Sequence, residues 1–521
     1  MKATNYSKLI WFIIGFGLFF FTRTSSFIPI AIALAPIFIL RLSKSQKPLK
    51  GILITVAGFI LILEINFWTP IDFSSPFPFI FSFIRSLVLG IVLSLPYIAT
   101  RLLQTKYNGF VSTLIFPVSA VAIYYIDSVF GPFKGIIIFY AYSQYGNLPL
   151  MQLLSLAGIW TLIFLLSWFS SVVSWLWDHD FRLEETKKGS VIFLSIAVGL
   201  LVYGGIKVSP YNFDYEGNTV RIAAAVFQNE SDKQNLGIDK MLNERLFTPL
   251  EETLEKIRHT TEEAASSHSE IIVFQEFSLV IPEEEEKEAI LNLKEIAKEN
   301  DIYLCIAYVS MPELLEGEHK EFMGYMELSD EEEEGRNVAL FIDNRGEIVT
   351  EYQKHNLVFG EDTWVLEGPG VIPVVETPHG RIGIAICRDM EFPDYMRQAG
   401  KQNADIVLAP SYEAVISLSI TYGQMLRSIE QGFSFVRPCA NGLSIAVDFN
   451  GRILSSMNYF TSSNSIMYAD VPTKGIRTIY TLIGDLFAWI CVFALCGFIL
   501  NAILRAGKSD TTESITQNRN E

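Results

Sequence analysis

Residues 381–389 read RIGIAICRD, a short apolar run that leads into cysteine, arginine and aspartate. Two further strand-like runs have the same form, since IIVF at 271–274 leads to Glu276 and the run after a glycine turn leads to Lys354. Buried strands that end in polar residues bring those residues to one edge of a sheet, where functional sites are commonly built. The sequence therefore predicts an α/β domain in which Glu276, Lys354 and Cys387 lie together.

The chain around these runs supports this fold class. Short β-branched runs alternate with helix-like stretches, which is typical of α/β architecture. The strand-like runs are 221–228, 270–277, 303–310, 337–343, 381–389 and 405–411, and the helix-like stretches are 236–268, 284–300 and 391–403. Two later strand-like runs, 442–448 and 465–471, follow without a long helix between them, and Asn450-Gly451 signals a hairpin turn. We therefore expect mixed, layered sheets rather than one parallel sheet.

Long apolar segments flank this domain, and most approach or exceed the roughly 20 residues that a helix needs to cross a bilayer. The eight segments are 9–22, 26–42, 51–68, 78–100, 108–128, 150–176, 190–206 and 479–504. The first two are short and joined at Thr22–Ser25, which predicts a tight helical hairpin. The predicted organisation is a membrane bundle of seven helices at 1–206, a soluble domain at 207–475, an eighth helix at 476–504 and a tail at 505–521.

Basic residues indicate the orientation of this bundle. Lys and Arg cluster on one side of it, and only Arg23 and Lys134 fall in short loops on the other side. The clustered residues are Lys2, Lys8, Arg41, Lys44, Lys47, Lys50, Arg101, Lys106, Arg182, Lys187, Lys188, Arg505 and Lys508. Because basic loops remain in the cytoplasm, both termini are predicted to be cytoplasmic and the α/β domain extracytoplasmic.

Charge and cysteine content narrow the function classes. The formal net charge of −17 makes nucleic acid an improbable partner. The five cysteines show no paired spacing and no cluster with histidine, so neither a disulfide framework nor a metal site is indicated. No other signature of a cofactor is present in the sequence.

The three polar strand ends supply the groups that acyl transfer through sulfur requires. A cysteine attacks as the thiolate, so Glu276 would accept the proton of Cys387 and the Lys354 ammonium would favour the anion. Lys354 and the backbone N–H of Arg388 would then hydrogen-bond the oxyanion of the tetrahedral intermediate. Taken singly, each residue has a plainer interpretation, because a cysteine after an apolar strand is often a core residue and a lone Glu or Lys is usually exposed.

The order and context of these residues resemble the nitrilase, or carbon-nitrogen hydrolase, superfamily. The motifs are Phe-Gln-Glu-Phe around Glu276, Tyr-Gln-Lys-His around Lys354 and Gly-Ile-Ala-Ile-Cys-Arg-Asp around Cys387. The resemblance implies an αββα sandwich with a Glu-Lys-Cys catalytic triad. It also implies that Glu361 is a further catalytic carboxylate that orients Lys354, and that Asn337 contacts the substrate.

The whole chain is similar to the apolipoprotein N-acyltransferase family, which joins membrane helices to a nitrilase domain. Supporting stretches include Tyr142–Tyr145, Leu357–Glu361 and Tyr480–Trp489. The resemblance implies that a phospholipid donates an acyl chain, by way of a cysteine thioester, to the amine of a diacylglyceryl-cysteine lipoprotein. It implies a multi-pass protein of the bacterial inner membrane that uses no cofactor.

The chain departs from that family directly after Cys387. Arg388-Asp389 replaces the usual Tyr-Glu, and both residues are assigned to substrate binding. The cation of Arg388 could lower the thiol pKa or contact a phosphate head group. Two alternatives therefore stand beside the acyltransferase. One is a membrane-tethered amidase with the same triad, in which water resolves the thioester, and the other is an inactive, lipid-binding homologue.

Overall fold

The computed structural model describes residues 4–22, 28–66, 77–132, 134, 140–209, 218–227, 248–312, 335–358, 360–413 and 418–517. The chain divides into two compact units, one formed by Met1–Lys207 with Ile483–Glu521 and the other by Val208–Leu482. Most of the predicted hairpin connection at 22–25 and the first part of the predicted helix at 236–268 lie outside the described residues. Each unit is described in turn.

The first unit is helical. Its helices are α1 (Asn5–Phe20), α2 (Ala31–Lys44), α3 (Pro48–Asn66), α4 (Phe77–Leu103), α5 (Ile115–Phe130), α6 (Leu148–Met151), α7 (Leu154–Ala157), α8 (Ile159–Asp178) and α9 (Leu183–Lys207) before the second unit, and α15 (Leu486–Gln517) after it. Six of the described helices are long and apolar enough to cross a membrane. The predicted segments at 9–22 and 26–42 form the shorter helices α1 and α2, so the count of eight spans stays a prediction.

Aromatic and small residues pack the first helices together. A Cβ atom built on Gly58 of α3 would lie 2.2 Å from the ring of Phe16 in α1, so only glycine allows this approach. Phe59 is fully buried and meets the rings of Phe16 and Phe19 edge to face, with centroids 5.2 and 4.9 Å apart. Such edge-to-face pairs match the electrostatics of aromatic rings.

The predicted membrane helix at 150–176 is wrong in its first part. The chain forms the two short helices α6 and α7 in this region, and α8 begins only at Ile159. Gly158, which separates α7 from α8, has a φ of +68°. A residue in that conformation cannot continue a right-handed helix, and glycine adopts it at low cost. An apolar run alone does not reveal such a break.

The second unit contains fifteen described strands and five helices. The strands are β1 (Thr219–Ala225), β2 (Ile271–Phe274), β3 (Leu279–Pro282), β4 (Tyr303–Met311), β5 (Arg336–Ile342), β6 (Ile348–Gln353), β7 (Val374–Thr377), β8 (Gly380–Ile384), β9 (Ile406–Leu408), β10 (Ser411–Tyr412), β11 (Ser434–Arg437), β12 (Cys439–Ala440), β13 (Leu443–Val447), β14 (Ile453–Asn458) and β15 (Ile466–Pro472). The helices are α10 (Leu250–Ser266), α11 (Glu283–Glu299), α12 (Pro393–Lys401), α13 (Leu418–Gln431) and α14 (Ile479–Ile483).

Thirteen of the described strands form two large mixed sheets, which confirms the prediction of mixed, layered sheets, and β10 and β12 pair in a small parallel sheet of their own. The first sheet has the order β15-β1-β2-β4-β5-β6, with β3 beside β4, and the second has the order β14-β13-β11-β9-β8-β7. Strands β1, β2 and β4 run parallel, as do β8, β9 and β11, and antiparallel strands complete both sheets. The predicted hairpin at Asn450-Gly451 joins the antiparallel pair β13 and β14.

Alternating side chains place the core between the sheets and the helices outside them. In β1, Ile222 and Ala224 face the apolar layer that both sheets share, whereas Ala223 and Ala225 face helices α10 and α11. On the second sheet, α13 packs against β11 and β13, and α12 packs against α13. This period of two is the signature of strands buried on both faces of a sheet. The αββα layering is therefore confirmed.

Short elements were missed where the sequence has no clear period. The unpredicted elements are β3, β7, β11, β12 and α13. The strand predicted at 381–389 is also too long, because β8 ends at Ile384 and Cys387–Glu391 forms a 3₁₀ turn. Cys387 therefore lies in a turn three residues beyond the strand rather than at its end.

Candidate active site

Cys387 begins the 3₁₀ turn in a strained backbone conformation. Its φ of +45° lies in the left-handed region, which a residue with a Cβ rarely adopts and which is enriched at functional sites. Its N–H donates to the carbonyl of Pro410 at 2.9 Å, and its carbonyl accepts from Nε2 of Gln424 at 3.1 Å. The turn thus holds the sulfur in one place against the second sheet.

Asp389 fixes the same turn from inside the protein. The residue is fully buried, and its carboxylate accepts hydrogen bonds from the Tyr352 hydroxyl at 2.6 Å, the Ile386 N–H at 3.0 Å, and both the N–H and Nδ2 of Asn356 at 2.9 Å. Sequence reasoning assigned Asp389 to substrate binding. With four protein donors on a buried carboxylate, we propose instead that Asp389 positions Cys387.

Lys354 follows β6 and lies between two carboxylates. Its Nζ donates to Oε1 of Glu276 at 2.8 Å and to Oε1 and Oε2 of Glu361 at 2.9 and 2.7 Å. The exposed fraction of the side chain is only 1% for Lys354, 1% for Glu276 and 5% for Glu361. Such a buried pair is retained when hydrogen bonds satisfy the charges, as they do here.

Asn337 joins the two carboxylates from β5. Its Nδ2 donates to Oε1 of Glu276 at 2.9 Å and to Oε1 of Glu361 at 3.1 Å, and the residue is fully buried. Sequence reasoning assigned Asn337 to substrate contact. In the structure its amide nitrogen is instead occupied by the carboxylates that hold Lys354.

Tyr412, at the end of β10, contacts the base and the nucleophile through its backbone. Its N–H donates to Oε2 of Glu276 at 3.0 Å, and its carbonyl accepts from the thiol of Cys387 at 3.3 Å. One residue therefore spans the carboxylate and the sulfur. Cys387 is 7% exposed, whereas Glu276 and Lys354 are each 1% exposed, so the sulfur-bearing residue is the most accessible of the three.

The electrostatics of the cluster follow from burial and the lysine. Burial raises the pKa of Glu276, although Lys354 opposes this rise. Burial opposes the charge of Lys354, but Glu276 and Glu361 outweigh it and raise the pKa of the ammonium. Burial and then Glu276 raise the pKa of Cys387, while Lys354 and Arg437 act to lower it. These shifts favour the protonated thiol of Cys387 and make Glu276 a stronger proton acceptor than an exposed carboxylate.

The side chain of Arg388 is mostly buried and contacts three neighbouring residues. Its guanidinium donates to the carbonyl of Leu357, lies 3.8 Å from Glu391 and stacks over the ring of Phe392 at 5.6 Å. The cations that act most strongly on the pKa of the Cys387 thiol are Lys354 and Arg437. The suggestion that Arg388 lowers the pKa of Cys387 gains no support from these contacts.

Three residues of this site were missed by sequence reasoning: Tyr412, Gln424 and Arg437. Tyr412 and Gln424 act through hydrogen bonds that involve backbone atoms, which leave no signal in a sequence. Arg437 ends the unpredicted strand β11, and an arginine within an apolar run is a signal that could have been followed. No group of three potential metal ligands occurs in the part of the chain that the structure describes.

Comparison with known proteins identifies the domain that carries this cluster. Residues 224–480 match the carbon-nitrogen hydrolase family. This stretch of the chain is a carbon-nitrogen hydrolase domain. The match covers all strands of the second unit except the first five residues of β1, and it includes Lys354, Glu276, Glu361 and Asn337.

The relatives to which this chain is similar include proteins named as acyltransferases and as amidases. The apolipoprotein N-acyltransferase of Geobacter metallireducens is 23% identical over 377 residues, which is 67% of each chain. The deaminated glutathione amidase of Dictyostelium discoideum is 30% identical over 36% of this chain and 65% of its own length. The apolipoprotein N-acyltransferase of Chlamydia trachomatis is 30% identical over 26% of each chain.

Among solved structures, an amidase from Nesterenkonia sp. superposes with a TM-score of 0.38 and 19% identity, over 50% of this chain and 92% of that one. The matches thus span about two thirds of the Geobacter and Dictyostelium proteins and about a quarter of the Chlamydia protein. The chain combines a carbon-nitrogen hydrolase domain with six described helices that are long and apolar enough to span a membrane.

Proposed function

We propose that the chain is an apolipoprotein N-acyltransferase that works through a thioester on Cys387. The observation that carries this proposal is a buried Glu276–Lys354 ion pair that the backbone of Tyr412 links to the thiol of Cys387. The same chain also supplies membrane-length helices. The relatives of that name, one aligned over 67% of this chain, support it.

In the first half-reaction, Glu276 takes the proton of the Cys387 thiol, and the sulfur attacks the ester carbonyl of a phospholipid. The ammonium of Lys354 and the backbone N–H of Arg388 stabilise the oxyanion, at about 3–4 kcal/mol for each donor in comparable sites. The carbon–oxygen bond breaks, Glu276 returns the proton to the glycerol oxygen, and lysophospholipid leaves. The acyl group remains on sulfur as a thioester.

In the second half-reaction, the amine of a diacylglyceryl-cysteine lipoprotein attacks the thioester. Glu276 accepts a proton from the amine, the carbon–sulfur bond breaks, and the thiolate of Cys387 recovers a proton. The products are an amide and the free enzyme, so no redox partner or cofactor is needed. The raised pKa of Glu276 suits a carboxylate that takes and returns a proton in each half.

Glu361 and Asn337 serve this cycle by holding Lys354 and Glu276. Glu361 contacts Nζ of Lys354 with both oxygens and accepts from the Val358 N–H at 2.8 Å, which fixes the carboxylate in its loop. Preorganised donors stabilise a transition state better than mobile ones because no reorganisation is needed as charge develops.

A membrane location suits lipid substrates. Removing an acyl chain from the bilayer costs roughly 0.8 kcal/mol for each CH₂ group, so both substrates remain at the membrane surface. We propose that the chain lies in a bacterial inner membrane with the catalytic domain on the extracytoplasmic side. Reporter fusions at the end of α9 and after α15 test this topology. If a reporter that functions only in the cytoplasm were active when fused at the end of α9, the proposed topology would be contradicted.

The central experiment uses the purified full chain in detergent, with phospholipid labelled in its acyl chain and a synthetic diacylated lipopeptide. We expect amide-linked label on the peptide amine, lost in Cys387→Ala and retained in Cys439→Ala, since Cys439 is a second buried cysteine of the same domain. Mass spectrometry locates the label.

The same assay separates the alternatives. The amidase relatives make hydrolysis the second candidate, and it predicts ammonia or carboxylate release from amides with no labelled peptide. An inactive homologue predicts neither product and no acyl adduct on Cys387. Either result would overturn the acyltransferase proposal.

A further inference from the structure

A second buried ion pair lies next to the triad. Nη2 of Arg437, at the end of β11, donates to Oε1 of Glu413 at 3.0 Å, and the exposed fractions of the two side chains are 0% and 2%. Thr421 of α13 closes the group, since its hydroxyl donates to Oε1 of Glu413 at 3.0 Å and accepts from Nη1 of Arg437 at 2.9 Å. Three different elements thus meet in one closed network.

The network holds the residue that joins base and nucleophile. Glu413 directly follows Tyr412, whose N–H contacts Glu276 and whose carbonyl contacts the thiol of Cys387. The carbonyl of Glu413 accepts from Nδ2 of Asn441 at 2.6 Å, so this segment is held through both its side chain and its backbone. Movement of Glu413 would therefore move both catalytic contacts of Tyr412.

Burial of such a pair needs a reason, because a buried ion pair often stabilises a fold no better than apolar residues of the same size. For Arg437, we find that reason in the effect of its positive charge on Cys387. Burial and Glu276 raise the pKa of the Cys387 thiol, whereas Lys354 and Arg437 act against that rise. Cys439 and then Glu413 and Cys387 in turn raise the pKa of Arg437 against the effect of burial, so its charge is retained.

We propose that Arg437, held by Glu413 and Thr421, is a positioning residue of the thioester chemistry that fixes Tyr412 and supplies a second positive charge to the reacting sulfur. This inference rests on the proposed function for its chemistry. It does not depend on which acyl donor or acceptor the enzyme uses, because the charge acts on the sulfur itself.

The test measures the alkylation of Cys387 by iodoacetamide as a function of pH in the full chain, by mass spectrometry of the Cys387 peptide. In Arg437→Gln, we expect the pH midpoint of alkylation to rise by about one unit. In Arg437→Lys, which keeps the charge but loses the forked donor, we expect a midpoint near that of the wild type. Arg437→Gln should also lower kcat about tenfold or more, with a smaller change in KM.

Arg427→Gln is the matched control. Arg427 is also a fully buried arginine of this domain and is paired with Glu430 at 2.8 Å. Its loss should lower the thermal midpoint of unfolding comparably, without moving the alkylation profile. If Arg437→Gln does not fold, the double variant Arg437→Met/Glu413→Met, which buries no unmatched charge, is expected to show the same shift.

Two results separate failure of the inference from failure of the proposed function. A folded Arg437→Gln or Arg437→Met/Glu413→Met variant whose profile matches both wild type and Arg427→Gln would overturn the inference alone. A folded wild-type chain in which Cys387 resists alkylation at every pH would overturn the thioester chemistry itself.

Discussion

Replacing Lys354 with methionine tests the charge balance at the centre of the site. Lys354 donates to three oxygens of Glu276 and Glu361 over 2.7–2.9 Å, and both carboxylates are nearly inaccessible to solvent. Methionine fills most of the space of the lysine side chain without its charge. The variant would therefore leave two buried carboxylates beside each other without a cation.

The size of the effect follows from that burial. Removing one partner of a buried ion pair costs about 3–5 kcal/mol, a large share of the about 5–15 kcal/mol that stabilises a typical domain. At about 2–4 °C for each kcal/mol in a domain of this size, we expect Tm to fall by about 6–20 °C. Acyl transfer should fall by about 10³-fold, because a donor to the oxyanion is also lost.

A second substitution separates stability from catalysis. Wild type has two carboxylates and one ammonium in this cluster, Lys354→Met has two carboxylates alone, and Lys354→Met/Glu361→Gln has one carboxylate. The double variant should recover at least half of the lost Tm because one unmatched charge is gone. It should recover no activity, since the ammonium is still missing.

The assay compares thermal unfolding in detergent with transfer of labelled acyl chains to a lipopeptide. Lys256→Met is the control, because Lys256 forms an exposed pair with Glu252 on one helix and such pairs contribute less than about 1 kcal/mol. A double variant as unstable as Lys354→Met would refute the charge argument. A folded Lys354→Met variant with wild-type activity would refute the catalytic role.

Three further predictions concern neighbouring residues. Because burial raises the pKa of Cys387, its alkylation in wild type should accelerate steadily from about pH 6 to about pH 9, and a rate independent of pH would contradict this. Asp389→Asn should lower the free energy of unfolding by about 1–3 kcal/mol in chemical denaturation, because the new amide N–H₂ faces four protein donors. Asp394→Asn, at an exposed position, should leave the stability unchanged. Equal stability of the two variants would refute the positioning role of Asp389. Asn337→Ala should lower kcat about tenfold or more with little change in KM, since two carboxylates lose a donor, and an unchanged kcat would argue against it.

Much of the fold was predictable because it depends on local patterns. Apolar runs of membrane length predicted the helical flanks, and β-branched runs broken by turn residues predicted most strands of the αββα domain. The motifs around Glu276, Lys354 and Cys387 also predicted that three distant residues belong to one site. These signals are carried by side-chain types and spacing, which a sequence states directly.

Tertiary structure alone decided how the site is held. Tyr412, Glu413 and Arg437 can be read from the sequence, but their contacts depend on how the short strands pair. A shift of one residue in that pairing would turn each side chain to the opposite face of the sheet. The same holds for Asp389, an acidic residue whose burial among four donors could not be distinguished from exposure at a substrate surface. Hydrogen bonds between elements distant in sequence arise from packing, so the chain determined the reactive groups, whereas the folded sheets determined their partners.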